Sequence, residues 1–98
     1  MLTGDRKRSL RARAHLLKPV VLIGQHGVSA AVLAEIERAL FDHELIKIRF
    51  RGSEREQRDH DIARTCDTLT ADLVVSIGGT VVLYRKRREQ QAARRSAS

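Results

Sequence analysis

The feature that most constrains the fold is the change of hydrophobic period along a chain of 98 residues. Residues 20–23 form a continuous apolar run rich in β-branched side chains, which is typical of a strand buried on both faces. Residues 45–51 instead alternate apolar with cationic side chains, which predicts a half-buried strand with a charged outer face. A helix-length interval separates the two segments, so the pattern indicates an α/β chain.

A predicted β-hairpin follows nearer the C-terminus. Residues 73–77 and 80–84 are both predominantly apolar. The Gly78-Gly79 pair between them supplies the positive φ values that a tight turn needs.

Helical patterns occupy the remaining intervals. The first helix begins after the N-cap Thr3 and extends to about Leu17, and the second begins after Ser29 and extends to about His43. A capping box at residues 53–56 opens the third. The apolar stripes expected to face the core are Leu10, Ala14 and Leu17, then Val32, Leu33, Ile36, Ala39 and Leu40, then Ile62, Ala63, Cys66 and Leu69. The order αβαβαββ predicts a two-layer α/β fold with a four-stranded mixed sheet, whose strand order the pattern does not determine.

We expect one domain at residues 1–87 and a basic tail at residues 88–98, which lacks apolar periodicity and is predicted to be disordered. Cys66 is the only cysteine, which excludes a disulfide framework within one chain and favours a reducing compartment. No apolar run approaches the roughly 20 residues that cross a bilayer, and the N-terminus lacks the apolar stretch of a secretory signal. The expected location is the cytoplasm, with no membrane contact.

The charge of the chain is segregated along the sequence. Lysine and arginine number 19 against 12 acidic residues, a formal net charge of +7, and such a surface attracts polyanions, nucleic acid first. Residues 1–18, 45–52 and 73–98 are net positive, whereas residues 19–44 and 53–72 are net negative. Segregation favours one basic surface with a binding role; the alternative is a set of solvated charged faces without a ligand.

A Gly24-x-x-Gly27 loop joins the first strand to the second helix. Unpaired amides and the dipole at the start of a helix attract anions, and glycines let a phosphate approach the backbone closely. KH domains clamp the RNA backbone with a GxxG loop of this kind. The alternative is that the glycines serve only the turn. If the loop is a clamp, Gly27→Asp should abolish binding and leave the fold intact.

The loop and the cationic segments together form the predicted RNA-binding site. Its residues are Gly24, Gln25, His26, Gly27, Arg6, Arg8, Arg11, Lys18, Lys47, Arg49, Arg51 and Arg85. No catalytic or metal site is expected, because the four histidines are not at metal-ligand spacing and Cys66 lies on an apolar stripe. Asp59, His60 and Asp61 are interpreted as a solvated helix face. The chain is therefore not expected to be an enzyme or to hold a cofactor or small-molecule substrate.

Several segments resemble the bacterial YhbY family, the stand-alone form of the CRM RNA-binding domain. They are residues 14–21 before the loop, 32–36 with Ala39 and Leu40, 43–47 (His-Glu-Leu-Ile-Lys), Ile77 with Gly78, and 82–85. The resemblance covers about residues 2–87, and its His-Glu-Leu-Ile-Lys and Leu-Tyr-Arg segments are more specific than the glycines. The family loop commonly carries a basic or small polar residue where this chain has Gln25, and Val28-Ser29 replaces the usual Leu-Thr.

The resemblance implies a fold similar to the C-terminal domain of translation initiation factor three. It also implies binding to ribosomal RNA and association with precursors of the large ribosomal subunit as an assembly factor; plant relatives use the domain in group II intron splicing. We expect a monomer. Two alternatives remain open: a binder of DNA, intron RNA or small RNA, and a module that docks on ribosomal proteins.

Overall fold

The predicted element order is present in the structure, a computed structural model that describes residues 2–86. In chain order the elements are α1 (Gly4–Ala14), β1 (Val21–Ile23), α2 (Ala30–His43), β2 (Leu45–Phe50), α3 (Arg55–Leu69), β3 (Asp72–Ile77) and β4 (Thr80–Tyr84). The α/β class and the mixed four-stranded sheet are confirmed. The predicted tail at residues 88–98 lies outside the described residues.

The strand order in the sheet is β1-β2-β4-β3. β1 runs parallel to β2, to which it is connected through α2, and β4 is antiparallel to both of its neighbours. β1 and β3 are therefore the edge strands. The predicted hairpin of β3 and β4 is present, with an irregular register between Leu73 and Val75.

Helices α2 and α3 cover one face of the sheet. Ile36 and Leu40 of α2 and Ile62 of α3 pack against Ile46 and Ile48 of β2, and all five are almost fully buried. This face carries the larger hydrophobic core. Val32, Leu33, Ala39, Cys66 and Leu69 are partly buried against it, as their stripes predicted.

Helix α1 lies on the other face of the sheet. Its Leu10 and Ala14 pack against Leu45 and Tyr84, which point away from the larger core because side chains alternate along a strand. The predicted two-layer arrangement is thus refined to three layers, with one helix on one side and two on the other.

Two predictions for the N-terminal end are wrong, namely the end of α1 and the burial of β1 on both faces. α1 ends at Ala14 rather than near Leu17, and the next residues form tighter i→i−3 turns that leave Leu16 90% exposed. Leu17 is consequently only partly covered and does not extend the buried stripe. β1 is not buried on both faces, because it is an edge strand that α1 does not reach, and Leu22 is 56% exposed.

The start and one face of α3 also differ from the prediction. The helix begins at Arg55 with Glu54 as N-cap, and no side chain caps it. Ser53 lies one position too early for the predicted capping box, and its buried Oγ has no hydrogen-bond partner among the described residues. Ala63 is exposed, whereas Thr65 is buried. Asp59 and His60 are exposed as interpreted, but the interpretation of Asp61 as solvated is wrong, because it is only 4% exposed.

The two glycines of the hairpin turn serve different purposes. Gly78 has a φ of +59°, as the turn requires. Gly79 does not have the predicted positive φ; a Cβ there would lie 2.5 Å from the carbonyl oxygen of Phe50. The Phe50 N–H also donates to the Gly79 carbonyl oxygen at 2.7 Å. The close approach of β2 to the turn therefore explains the second glycine.

We expect Gly79→Ala to lower the free energy of unfolding by about 2 kcal/mol, because the added methyl group must push the turn away from Phe50. Urea denaturation measures this change. Gly24→Ala is the matched control, since a Cβ at Gly24 meets nothing within 4 Å. A Gly79→Ala protein as stable as the control would contradict the assigned contact.

Candidate nucleic-acid interface

The Gly24–Gly27 segment is a tight turn between β1 and α2. The Gly27 N–H donates to the Gly24 carbonyl oxygen at 3.0 Å, and Gly27 has a φ of +71°. Ser29 caps α2 as predicted, because its Oγ accepts the Val32 N–H at 3.2 Å. The Gly27 amide is thus already used within the turn and is not available to an anion.

The free amides lie slightly further along the chain. Within residues 2–86, the Ala30 and Ala31 N–H groups at the start of α2 have no acceptor. They belong to the first turn of a 14-residue helix, where the helix dipole favours negative charge. The helix-start amides on which the predicted anion site depends are therefore those of Ala30 and Ala31, and the Gly27 amide does not add to them.

Arg51 lies at the same end of the sheet as the loop. β1 and β2 are parallel, so the segments that follow them leave the sheet at one edge. A Cβ at Gly52 would lie 3.4 Å from Cγ of Gln25, which shows that the turn after Arg51 contacts the loop. Arg51, Gln25 and His26 are all exposed there.

One face of the sheet is open beside this end. Leu22, Arg49, Thr80 and Ile77 are paired across the four strands and form one row on the side of the sheet that carries α1. Leu22 and Ile77 are 56% and 68% exposed, and Arg49 is exposed between them. Lys47, two residues before Arg49, points to the same side and is half-buried. We call these five residues the open strip.

The cations of α1 lie at the other end of the same side. The Arg6 guanidinium stacks over the Tyr84 ring at 5.3 Å from its centroid and donates to the Tyr84 hydroxyl at 3.3 Å. Tyr84 pairs with Leu45 at the start of β2, so the length of β2, roughly 20 Å for six residues, separates Arg6 from the loop. Arg8 and Arg11 of α1 are exposed, as is Lys18 in the segment between α1 and β1, and Arg8 makes a 3.9 Å surface ion pair with Asp5. These cations extend the basic surface beyond the open strip.

Arg85 is the predicted site residue that the structure places elsewhere. Its guanidinium is buried and pairs with both carboxylate oxygens of Glu37, at 2.5 and 3.1 Å. It also donates to the Leu69 carbonyl oxygen at 3.0 Å, at the end of α3. Arg85 therefore joins β4 to α2 and α3, and we remove it from the predicted RNA-binding set.

Asp61 was missed as a component of the loop region. It is only 4% exposed, and its Oδ1 accepts a hydrogen bond from Gln57 Nε2 at 3.1 Å. A Cβ on Gly27 would lie 3.1 Å from Asp61 Oδ2, so this carboxylate lies directly beneath the loop. Nothing in the sequence pattern indicated its burial, because Asp61 and the Thr65 one turn further along are both polar.

This contact changes the expected effect of substituting Gly27. Any side chain there is strained at φ +71° and meets Asp61, and an aspartate would place two carboxylates together. The expectation that Gly27→Asp leaves the fold intact is therefore withdrawn. Gly24 is exposed and has open space at its Cβ position, so it is the better site for a charge in the loop.

The Cys66 thiol and the side chains able to ligate a metal show no arrangement typical of a catalytic or metal site within residues 2–86. Burial raises the pKa of the Cys66 thiol, and the nearby Asp72 and Asp67 carboxylates raise it further, so the thiol stays protonated at neutral pH. Within residues 2–86 no group of three His, Cys, Asp or Glu side chains is arranged to hold a metal ion. In the same range no helix is long and apolar enough to cross a membrane.

Comparison with known proteins agrees with the resemblance predicted from the sequence. The CRS1 / YhbY (CRM) domain model matches residues 2–85. A "Probable RNA-binding protein" of Pseudomonas aeruginosa is 42% identical over 85 residues, which cover 87% of this chain and 82% of that protein. An "RNA-binding protein" of Haemophilus influenzae is 42% identical over 88 residues, which cover 90% and 89%.

A solved structure shows the same fold. The solution structure of a hypothetical Staphylococcus aureus protein superposes with a TM-score of 0.79 at 31% identity, and the match covers 91% of this chain and 93% of that one. Fold and relatives thus define a small α/β domain whose relatives are named as RNA-binding proteins. The chain belongs to the CRS1 / YhbY (CRM) domain family.

Proposed function

We propose that residues 1–87 act as one RNA-binding domain that contacts ribosomal RNA through a single continuous surface. The surface consists of the Gly24–Gly27 loop with the first turn of α2, Arg51, the open strip and the cations of α1. One observation carries the proposal: the unpaired amides at the start of α2 lie at the same end of the sheet as Arg51, and the cationic open strip reaches that end on the face of the sheet opposite to α2 and α3.

In this proposal the amides of Ala30 and Ala31 hold one phosphate of the RNA. Arg51, Arg49 and Lys47 hold the phosphates that follow along the sheet, and α1 continues the track. Arginine suits this role because its planar guanidinium matches phosphate oxygens. RNA-binding relatives support an RNA partner, and we propose that the RNA is ribosomal and that the protein acts in the cytoplasm, as a monomer, on precursors of the large subunit.

Binding should weaken steeply with salt. A slope of about −0.7 in log affinity per log salt for each phosphate predicts about −3 to −5 for five to seven contacts. Arg49→Ala should reduce affinity severalfold and make the slope shallower by about one contact. Fluorescence anisotropy with a labelled ribosomal RNA fragment at several salt concentrations measures both quantities.

Arg38→Ala is the matched control, because Arg38 is an exposed cation on α2, outside the proposed surface. It removes the same charge and should leave the slope nearly unchanged. A flat salt dependence, or equal losses for the two variants, would rule out the proposed surface as the site of phosphate contact.

The ribosomal role has its own test. Crosslinking in cells followed by sequencing of the bound RNA should recover large-subunit ribosomal RNA, and sedimentation should place the protein on immature large subunits. Recovery of intron or small RNAs instead would favour the alternative RNA class. Ribosome association that persists after the open-strip cations are neutralised would favour docking on ribosomal proteins.

A further inference from the structure

A polar cavity of about 350 Å³ lies between the Gly24–Gly27 loop and α3. The loop contributes Gln25, and α3 contributes Gln57, His60, Asp61 and Arg64. Its walls thus carry both hydrogen-bond donors and acceptors, as do sites that recognise polar ligands. The proposed phosphate site at the start of α2 does not use this cavity.

Asp61 is the group in the cavity wall that most needs a partner. Only 4% of its surface is exposed, and within the described residues its Oδ2 accepts no hydrogen bond. A buried carboxylate oxygen without a donor is costly, and native structures rarely leave one without a purpose. Arg64, three residues further along the same helix, donates instead to the Val28 carbonyl oxygen.

The chemistry of Asp61 restricts what the cavity can receive. A carboxylate repels phosphate, so the cavity does not hold a second backbone anion. The missing partner is a hydrogen-bond donor, and the neighbouring loop is where the RNA backbone is proposed to pass. A base attached to that backbone lies within reach of the cavity and presents N–H donors on its Watson–Crick edge.

We propose that the cavity receives one unstacked base of the bound RNA and that Asp61 selects guanine. Guanine presents two adjacent donors, N1–H and the N2 amino group, whereas adenine presents one amino group beside an acceptor. Donors on Gln25, His60 or Arg64 then face guanine O6. Gly27 lies over the buried Oδ2, so binding of the base requires the turn to be displaced. This inference rests on the proposed RNA-binding function and specifies it further.

The test uses nine-residue oligoadenosine RNAs whose central position is adenosine, guanosine, inosine or deoxyguanosine. The full chain should bind the guanosine RNA about tenfold more tightly than the adenosine RNA. Inosine, which lacks the N2 amino group, should lose part of this gain. The deoxyguanosine RNA should bind as tightly as the guanosine RNA. A weaker affinity for deoxyguanosine would assign the contact to the 2′-hydroxyl and contradict recognition of the base.

Asp61→Asn should bring the guanosine and adenosine affinities within twofold of each other. Asp59→Asn is the matched control, because it removes the same charge from an exposed position on the same helix and should keep the preference. Equal loss for all four RNAs in Asp61→Asn would show that Asp61 only supports the loop. The guanosine–inosine comparison uses the unaltered chain and therefore stands even if the variant does not fold.

Different results would contradict the base pocket and the proposed RNA-binding function. If the unaltered chain binds ribosomal RNA but shows no preference for guanosine, the base pocket is wrong and the proposed function stands. If it binds no RNA of any kind, the proposed function fails, and the pocket fails with it.

Discussion

Gly24→Asp is expected to reduce RNA affinity by about ten- to a hundredfold while leaving the free energy of unfolding nearly unchanged. The new carboxylate would stand in the loop beside the amides of α2, where the phosphate is proposed to bind. Two like charges at about 4 Å repel by about 1 to 4 kcal/mol in an environment between water and the protein surface. No steric cost accompanies the change, because a Cβ at Gly24 meets no atom within 4 Å.

Gly24→Ala is the control that distinguishes the effect of the added charge from the effect of the added side chain. It adds the same Cβ without a carboxylate, so its RNA affinity should stay within about twofold of the unaltered chain. Anisotropy titrations give the affinities, and urea denaturation of both variants verifies that the fold is retained. Normal binding by Gly24→Asp would mean that the glycines serve only the turn.

Arg85→Ala is expected to have the largest effect on stability, lowering the free energy of unfolding by about 2 to 4 kcal/mol. The substitution removes the bidentate pair with Glu37 and the hydrogen bond to Leu69, and it leaves space among buried side chains. Hydrogen bonds to charged groups contribute about 1.5 to 3 kcal/mol, and breaking a buried pair costs about 3 to 5 kcal/mol. Glu37 is 42% exposed and regains water, which moderates the loss.

Arg49→Ala is expected to have the opposite effect to Arg85→Ala. Its exposed cation should contribute to RNA affinity and little to stability, whereas Arg85 should contribute to stability and little to affinity once the variant is folded. Both quantities are measured on each protein, at a temperature where Arg85→Ala remains native. A stable Arg85→Ala protein with weakened RNA binding would return Arg85 to the interface.

Local periodicity explains why most elements could be predicted from the sequence. The alternation at residues 45–51 fixes which side chains of β2 point to the larger core, and Ser29 is followed by a regular apolar stripe. Both features depend only on residues a few positions apart. The strand order could not be predicted in this way, because the placement of β4 between β2 and β3 depends on contacts between distant segments.

Two consecutive apolar residues at the start of β2 indicate that a helix covers the second face of the sheet. Leu45 and Ile46 are consecutive apolar residues at the start of β2, and in a strand they point to opposite faces. Burial of both requires cover on both sides of the sheet, and α1 supplies the second cover. The same helix stops short of Leu22, which explains why β1 has an exposed side chain where a doubly buried strand was predicted.

Most cations of the proposed interface could be predicted from the sequence, but the contacts that Arg85 and Asp61 make with distant residues could not. The strand pattern predicted that Lys47, Arg49 and Arg51 share one cationic face. Because β2 is parallel to the strand that precedes the loop, Arg51 lies beside the loop and Arg49 and Lys47 lie progressively further from it. The role of Arg85 could not be predicted, since its partner Glu37 is 48 residues away and each looked like an ordinary surface charge. The contact between Asp61 and Gly27 is likewise made only by the folded chain.

The most direct test of the central claim is an NMR titration of the backbone amides with a fragment of large-subunit ribosomal RNA. We expect the largest shift changes at residues 24–31, where the unpaired amides of Ala30 and Ala31 lie, and at Lys47 and Arg49 of β2 and Arg51, the residue after it. Changes confined to the outer faces of α2 and α3, with residues 24–31 unaffected, would contradict the central claim.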